Sequence, residues 1–180
     1  MTEELRIREL VSVFSPEQIA GRVRAMAGEI DARYGDEPLV AVCVLKGACI
    51  FFSDLVRSLH NKNLELDFIR LASYGMGTTS SGRVVLGKDV ETDIRDKHVL
   101  LVEDIVDSGR SMRFVLDAFA ARGPRSLRLA ALVDKTGRRD AEVVVDFAGF
   151  SVESGFLVGY GLDYAERYRG LPGICEIVPE

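Results

Sequence analysis

Cysteine and histidine are scarce in this chain of 180 residues, and positively charged residues are outnumbered by negatively charged ones. There are three cysteines, two histidines and no CxxC pair, and an odd cysteine count without paired spacing argues against a disulfide framework. Lysine and arginine number 23 against 28 aspartates and glutamates, which gives a formal net charge of −5. A protein whose main partner is nucleic acid usually has a basic surface, so this balance argues against that class without excluding a local basic patch.

The three cysteines, Cys43, Cys49 and Cys175, lie in apolar stretches such as VAVCVLKGACIFF. This context predicts buried, reduced thiols in a cytoplasmic protein. A nucleophilic role for Cys49 is disfavoured, because neither His60 nor His98 is close to it in sequence and no other nucleophile signature is present.

Long apolar runs are also missing. The run at Leu39–Leu45 is far shorter than a membrane span, and the charged N-terminal segment MTEELRIREL has no apolar core of signal-peptide length. We therefore expect no membrane segment and a cytoplasmic location. Apolar residues make up 47% and charged residues 28% of the chain, as in an ordinary globular protein, and the length fits a single domain over residues 1–180.

Helix and strand signals alternate along most of the chain. Ser15 can cap a first helix, with Pro16 in its first turn and Gln18 completing a capping box. The run at Leu39–Leu45 is typical of a strand that is buried on both faces. Further helices are predicted over residues 48–59 and 112–119, and further strands over 64–74, 83–86, 99–102, 127–133 and 143–147, before a largely irregular tail from about residue 156 with short apolar pieces such as 174–178.

This alternation predicts an α/β fold with a mainly parallel central sheet and helices on both faces. Ligands of such folds bind beyond the carboxyl ends of the strands. Lys46 and Gly47, the loop at 103–111 and Lys135 each follow a predicted strand, so we expect them to gather at one edge of the sheet.

The stretch HVLLVEDIVDSGRSM, at 98–112, places three acids beside a loop suited to an anion. Glu103 and Asp104 end an apolar strand, Asp107 follows, and the loop at 108–111 leads into a predicted helix start whose free N–H groups can bind phosphate. The loop lacks the GxxxxGK[ST] pattern of nucleoside triphosphatases. Carboxylates suit sugar hydroxyls, hard cations and proton transfer, so the stretch predicts a ligand that carries a phosphate, a sugar diol and a metal. A surface turn with solvated acids is the alternative.

The segment VLLVEDIVDSGRSM resembles the phosphoribosyl pyrophosphate (PRPP) motif of type I phosphoribosyltransferases. Four more stretches resemble the 6-oxopurine branch, the hypoxanthine–guanine phosphoribosyltransferases: VLKGACIFFSDL at 44–55, ASYGMGTTSSG at 72–82, LVDKTGRR at 132–139 and FLVGYGLDYAERYRGLP at 156–172. The resemblance implies the type I phosphoribosyltransferase fold. That fold adds to the central sheet a small hood, formed by the N-terminus and residues about 156–180, and a flexible lid hairpin at about 73–83.

Within the motif, the resemblance implies that Glu103 and Asp104 hold the ribose hydroxyls, directly or through a metal ion. Adjacent strand residues face opposite ways, so equal roles for the two acids are not expected. Asp107 corresponds to a residue that binds PRPP and is also the catalytic residue for the proton at purine N7. The PRPP-binding cradle of the 5-phosphate comprises Ser108, Gly109, Arg110 and Ser111.

Downstream, the resemblance assigns the purine site to Lys135, Phe156, Leu157 and Asp163. Lys135 corresponds to the lysine that reads the exocyclic oxygen, and a cation there favours a 6-oxo acceptor over the amino donor of adenine. Phe156 would stack on the base, Leu157 would offer it backbone groups, and Asp163 would bind magnesium and contact the base. A solvated loop lysine and a phenylalanine in the core are the alternatives.

The same resemblance places Ser73 and Tyr74 in the lid, which would exclude water from an activated sugar. A disordered hairpin tip is the alternative. The resemblance also implies pyrophosphate contacts, for which arginine is suited by its bidentate geometry. The residues concerned are Lys46, Gly47, Arg139 and Arg169, and solvated surface arginines are the alternative.

As a whole, the resemblance implies reversible transfer of the phosphoribosyl group from PRPP to N9 of hypoxanthine or guanine, giving IMP or GMP and pyrophosphate. It implies Mg²⁺ held by Glu103, Asp104 and Asp163, and a homo-oligomer, either a dimer or a tetramer. One alternative is the same chemistry with xanthine or guanine preferred. Another is a PRPP-sensing regulator, which would need a basic surface or an added DNA-binding domain. A flavodoxin-like signalling domain would leave the phosphate loop and Lys135 unexplained.

Overall fold

The computed structural model describes residues 7–74 and 83–180. In chain order the elements are β1 (Ile7–Phe14), α1 (Pro16–Tyr34), β2 (Leu39–Leu45), α2 (Cys49–Ser58), β3 (Leu64–Tyr74), β4 (Arg83–Lys88), β5 (His98–Val106), α3 (Arg110–Ala120), β6 (Ser126–Lys135), β7 (Phe147–Val152), β8 (Leu157–Val158) and β9 (Ile174–Pro179).

The larger of two sheets has the strand order β4-β3-β2-β5-β6-β7, in which β4 alone is antiparallel to its neighbour among the strands described. β5 lies between β2 and β6, so it is a central strand. The smaller, antiparallel sheet has the order β1-β9-β8. It joins the two segments that were predicted to form the hood.

Helices cover both faces of the large sheet. Successive residues of a strand point to opposite faces, so each central strand contributes side chains to a core on both sides. Ala41 and Cys43 of β2 pack in the core cluster that includes α1 and α2, whereas Val40 and Val42 pack in the cluster that includes α3. The predicted α/β fold with a mainly parallel sheet is confirmed.

The start of α1 also agrees with its prediction. Ser15 Oγ accepts a hydrogen bond from Gln18 N–H at 3.3 Å, and Gln18 Oε1 accepts one from Ser15 N–H at 2.8 Å. This reciprocal pair satisfies two backbone donors that the first turn of a helix leaves open.

The strand predicted over 143–147 is wrong, since β7 begins at Phe147. Val143 and Val145 instead pack as side chains against the α3 cluster, and Asp146 accepts Leu129 N–H at 2.9 Å ahead of the strand. The tail is more regular than predicted, because β8 and β9 pair within it. β1 was not predicted at all, since all eight of its side chains stay partly or fully exposed and give no buried apolar run.

The cysteine prediction is only partly correct. Cys43 is buried, whereas Cys49 at the start of α2 is exposed and Cys175 is partly exposed; all three thiols are free. None of the helices in the described part of the chain is long and apolar enough to cross a membrane. The predicted lid falls mainly on residues 75–82, which lie outside the described residues; the backbones of Ser73 and Tyr74 end β3 and pair with β4.

Candidate active site

The carboxyl ends of β2, β5 and β6 lie side by side at one edge of the large sheet. In the parallel register, Val106 at the end of β5 pairs with Asp134 near the end of β6. Lys46 directly follows β2, and Lys135 is the last residue of β6. The three segments expected to gather at this edge therefore do so.

Glu103 and Asp104 are both buried, each 9% exposed, but they face different cavities. Glu103 lines a small cavity of about 140 Å³ together with Ser108 and Gly109. Asp104 lines a larger cavity of about 470 Å³, and Asp107 lines both. The alternation of side chains along β5 thus gives two adjacent acids separate positions.

The loop between β5 and α3 is held tightly by the segment after β6. The Ser108 carbonyl accepts N–H groups from Asp140 at 2.9 Å and from Ala141 at 3.0 Å. Gly109 has a φ of 81°, and a Cβ there would lie 2.8 Å from the Ala141 carbonyl oxygen, so glycine is required. Ser111 and Met112, in the first turn of α3, line the small cavity, where their N–H groups can bind an anion. Arg110, which begins α3, is exposed and pairs with Asp140 at 3.0 Å.

Asp107 and Lys135 form an ion pair that joins the ends of β5 and β6. Lys135 Nζ donates to Asp107 Oδ2 at 3.0 Å, and only 6% of Lys135 is exposed. The other oxygen, Asp107 Oδ1, is buried and has no hydrogen-bond partner within residues 7–74 and 83–180. Buried polar atoms are normally paired, so an open acceptor here suits a ligand that donates a proton.

The large cavity combines an apolar wall with a few polar groups, as small-molecule sites commonly do. Leu157 and Leu162 are buried, whereas Phe156 keeps 48% of its surface exposed and its ring lies 5.5 Å from that of Tyr164, edge to face. Six of the predicted site residues line this one cavity: Asp104, Asp107, Lys135, Phe156, Leu157 and Asp163.

Gly47 brings the loop after β2 close to the acids of β5. A Cβ at this position would overlap the Asp104 carboxylate, so any larger residue would displace either the loop or the Asp104 side chain. The peptide bond between Leu45 and Lys46, one bond before the Lys46–Gly47 peptide, is cis. The loop therefore lies against the same part of the site as Asp104.

A charged cluster, formed by Lys46, Asp163, Glu166 and Arg169, lies beside the large cavity. Arg169 Nη2 lies 2.8 Å from Asp163 Oδ1, and Arg169 Nη1 donates to the Gly161 carbonyl at 2.8 Å. Lys46 Nζ lies 3.0 Å from Glu166 Oε2. Two of the residues predicted to contact pyrophosphate, Lys46 and Arg169, are thus brought together.

Arg139 is placed elsewhere, beside the phosphate loop. Its guanidinium pairs with Asp134 and donates to the carbonyls of Lys135 at 3.2 Å and Val143 at 3.3 Å. A Cβ at Gly109 would lie 3.0 Å from Arg139 Cδ. These contacts indicate that Arg139 braces the loop and the end of β6, and its contact with pyrophosphate stays a prediction.

Burial raises the pKa of Glu103 well above its usual value, and the neighbouring Asp104 carboxylate adds to the rise. A hydrogen bond from Asp104 N–H to Glu103 Oε1 at 3.1 Å acts in the opposite direction. In the described part of the chain, no group of three His, Cys, Asp or Glu side chains is arranged to hold a metal ion. Mg²⁺ commonly takes one or two protein carboxylates and completes its shell with water and substrate phosphates, so Asp104 and Asp163, which line the same cavity, suit it.

The comparisons with known proteins agree on one family. The sequence pattern of the phosphoribosyl transferase domain matches residues 12–165. The chain is 41% identical to the hypoxanthine-guanine phosphoribosyltransferase of Bacillus subtilis, over 93% of this chain and 92% of that protein, and 41% identical to the hypoxanthine phosphoribosyltransferase of Salmonella typhimurium, over 96% and 98%. A crystal structure of a hypoxanthine-guanine phosphoribosyltransferase from Bacillus anthracis matches with a TM-score of 0.87 at 38% identity, over 97% of this chain and 100% of that one. This chain belongs to the phosphoribosyltransferase family, and the resemblance inferred from its motifs is confirmed.

The structure adds residues to the site that the sequence did not indicate. Ile105 lines both cavities, and its position between Asp104 and Asp107 in the motif could have indicated this. Glu166 carried no local signal, because its contact with Lys46 joins residues 120 positions apart. Four more residues line the large cavity: Arg138, Ser154, Gly155 and Leu162.

Replacing Glu103 with glutamine removes a buried acid whose pKa is raised. The folded protein binds this proton more tightly than the unfolded chain, so wild-type stability falls as pH rises above the usual value of 4.5 and levels off above the folded pKa. We expect Glu103→Gln, in buffer with a chelator, to melt at a higher temperature than the wild type, by a difference that grows with pH across this window. Thermal melts over a pH series measure it.

Glu142→Gln removes an exposed carboxylate and controls for the loss of one charge. A melting-temperature difference between Glu103→Gln and the wild type that stays constant with pH would contradict the raised pKa of Glu103.

Replacing Arg139 with methionine leaves the Asp134 carboxylate without its partner, and both side chains are largely buried, at 19% and 20% exposure. We expect the free energy of unfolding to fall by about 2–4 kcal/mol, as measured by urea denaturation. Arg125→Met is the control, because it breaks an exposed pair with Glu37 at 2.9 Å and should cost under about 1 kcal/mol. Equal losses in the two variants would contradict the bracing role.

Proposed function

We propose that this protein is a purine salvage enzyme that transfers the 5-phosphoribosyl group of PRPP to N9 of hypoxanthine or guanine, giving IMP or GMP and pyrophosphate. The observation that carries the proposal is the Asp107–Lys135 ion pair, which lies where a phosphate-binding loop meets an apolar cavity. The proteins that this chain resembles over almost their whole length are named as hypoxanthine or hypoxanthine-guanine phosphoribosyltransferases.

The large cavity accommodates the base. Lys135 donates to the exocyclic oxygen at position 6, where adenine would present an amino donor instead. Because Lys135 is buried, a base without that acceptor would leave one N–H group of its ammonium without a partner, and this disfavours adenine. Phe156 offers an exposed aromatic face on which the purine stacks.

Asp107 accepts the proton that leaves purine N7. Its Oδ2 stays bound to Lys135, while Oδ1 is open to receive the proton. As the bond from N9 to C1 of the ribose forms, the bond from C1 to the pyrophosphate oxygen breaks and the N7 proton passes to Asp107. Catalysis in this scheme is positioning and electrostatics, with no covalent enzyme intermediate.

The small cavity accommodates the 5-phosphate, through the first N–H groups of α3 and the hydroxyls of Ser108 and Ser111. Glu103 and Asp104 accept hydrogen bonds from the ribose hydroxyls. Lys46 and Arg169 stabilise the negative charge that develops on the leaving pyrophosphate.

The residues that would hold Mg²⁺ are Asp104 and Asp163, which line the large cavity; Glu103, also expected to bind it, lines the small one. Their hard oxygen donors suit this ion, and a cation would relieve the repulsion between the two buried acids. When bound, Mg²⁺ would neutralise charge on the pyrophosphate.

We also propose how the protein is organised in the cell. It is a single phosphoribosyltransferase domain over 1–180 with a hood and a lid, in the cytoplasm, as a homodimer or homotetramer. Its ligands are PRPP and a 6-oxopurine, with neither nucleic acid nor a membrane as a partner. The net charge of −5 supports the exclusion of nucleic acid, and the family resemblance supports the rest.

A spectroscopic assay with PRPP, Mg²⁺ and each base in turn tests the function. We expect product with hypoxanthine and guanine and none with adenine, because Lys135 favours a 6-oxo group. Preference for xanthine over hypoxanthine would favour the xanthine–guanine alternative, and PRPP binding without turnover on any base would favour the PRPP-sensing regulator. Failure to form product with every 6-oxopurine would overturn the proposal.

Removing the proton acceptor at position 107 should lower turnover far more than PRPP affinity. We expect kcat to fall by about 10²–10⁴-fold in both Asp107→Ala and Asp107→Asn, with the KM for PRPP within a few fold of the wild type. Asp117→Asn, at an exposed aspartate paired with Arg113, is the matched control. Near-wild-type kcat in a folded Asp107→Asn, which keeps an acceptor for Lys135, would show that Asp107 only positions that lysine.

A further inference from the structure

Glu166 places one carboxylate oxygen between the two cations that are proposed to contact pyrophosphate. Glu166 Oε2 lies 3.0 Å from Lys46 Nζ and 3.2 Å from Arg169 Nη2. An oxygen of a bound pyrophosphate would need these same donors, because each cation has few N–H groups that can point toward one ligand.

The backbone holds Glu166 in this place. Tyr164 and Arg167 exchange two backbone hydrogen bonds, at 3.1 and 2.9 Å, and enclose a two-residue turn formed by Ala165 and Glu166. Both turn residues have positive φ, 50° and 64°, which is unusual for residues other than glycine. Glu166 N–H also donates to Asp163 Oδ2 at 2.9 Å. The carboxylate is therefore presented by a defined turn and not by a free loop.

The negative charge of Glu166 lies next to two cationic partners, Lys46 and Arg169. Glu166 Oε2 accepts hydrogen bonds from Lys46 Nζ and Arg169 Nη2, and pairing with two cations favours the ionised carboxylate. The pairs are nevertheless exposed, with 53% of the Lys46 side chain and 65% of the Glu166 side chain accessible, so each is individually weak. A ligand of higher charge can replace the carboxylate.

We infer that Glu166 is an internal counter-anion of the pyrophosphate subsite, which pyrophosphate groups displace when they bind and which limits their affinity. In the free enzyme it pairs with Lys46 and Arg169, so part of the attraction of these cations for pyrophosphate is offset. As pyrophosphate leaves, the carboxylate returns to the two cations and favours release. Glu166 is thus a residue that sets affinity for PRPP and pyrophosphate without taking part in bond making. The inference rests on the proposed function, because it takes Lys46 and Arg169 as the pyrophosphate cations.

Titration calorimetry of the whole protein with inorganic pyrophosphate and Mg²⁺ tests the inference without any need for turnover. We expect the dissociation constant to fall about 3- to 10-fold in Glu166→Gln, because the competing charge is gone. Glu166→Gly should give the same change, and glycine suits the positive φ of this position. Glu91→Gln is the control, because it removes an exposed glutamate paired with Lys88 at 3.0 Å and should leave pyrophosphate binding unchanged.

An unchanged or weaker affinity in both Glu166 variants would overturn the inference, since Glu166 would then be neutral or would help to orient the cations for the ligand. Absence of pyrophosphate binding in all of the proteins would overturn it as well. In that case, formation of IMP from PRPP and hypoxanthine by the wild type decides separately whether the proposed function stands.

Discussion

The pairing of β5 with β2 and β6 is the constraint on which the site depends. The residues of β5 from Val99 to Val102 are all fully buried, on alternating faces of the sheet. A shift of the strand pairing by one residue would turn each set of apolar side chains toward the opposite face of the sheet, where it would not fit the existing packing. The register is therefore strongly fixed. That register carries Glu103 and Asp104 to the sheet edge and directs them into different cavities. The same shift would exchange the cavities that the two acids face.

The edge that β5 creates concentrates negative charge, and other elements supply the compensating cations. Lys135, the last residue of β6, pairs with Asp107. Arg139 pairs with Asp134, the residue before Lys135. Glu103 has no cationic partner within residues 7–74 and 83–180, and its raised pKa is the result of burial beside Asp104. The acids at this edge therefore differ in their surroundings. Asp107 and Asp134 each have a cationic partner, whereas Glu103 is buried beside another acid.

Much of the fold and of the site could be predicted where the signal is local. The apolar run of β2 and the motif at 98–112 identified central strands and the acids that follow them, because burial on both faces leaves a continuous apolar sequence. β1 escaped prediction, since it is stabilised by pairing with β9 at the other end of the chain and all eight of its side chains stay at least partly exposed. Arg139 illustrates the same limit in the site: its residue type was consistent with phosphate binding, but only the packing around Gly109 and Asp134 shows what it contacts.

The cations proposed to contact the substrate are each paired with an acid of the chain itself: Lys135 with Asp107, Arg169 with Asp163, and Lys46 with Glu166. A long side chain that is already held in place loses less conformational freedom when a ligand binds, so the pair of Lys135 with Asp107 lowers the entropic cost of binding a base. The burial of each ion pair determines how easily a ligand can replace the acid in it. Lys135 is buried and its pair with Asp107 can persist beside a bound base, whereas the exposed pair of Lys46 with Glu166 is weak enough to open for a phosphate. One site can therefore keep a fixed acid–base pair at the purine and an exchangeable pair at the leaving group.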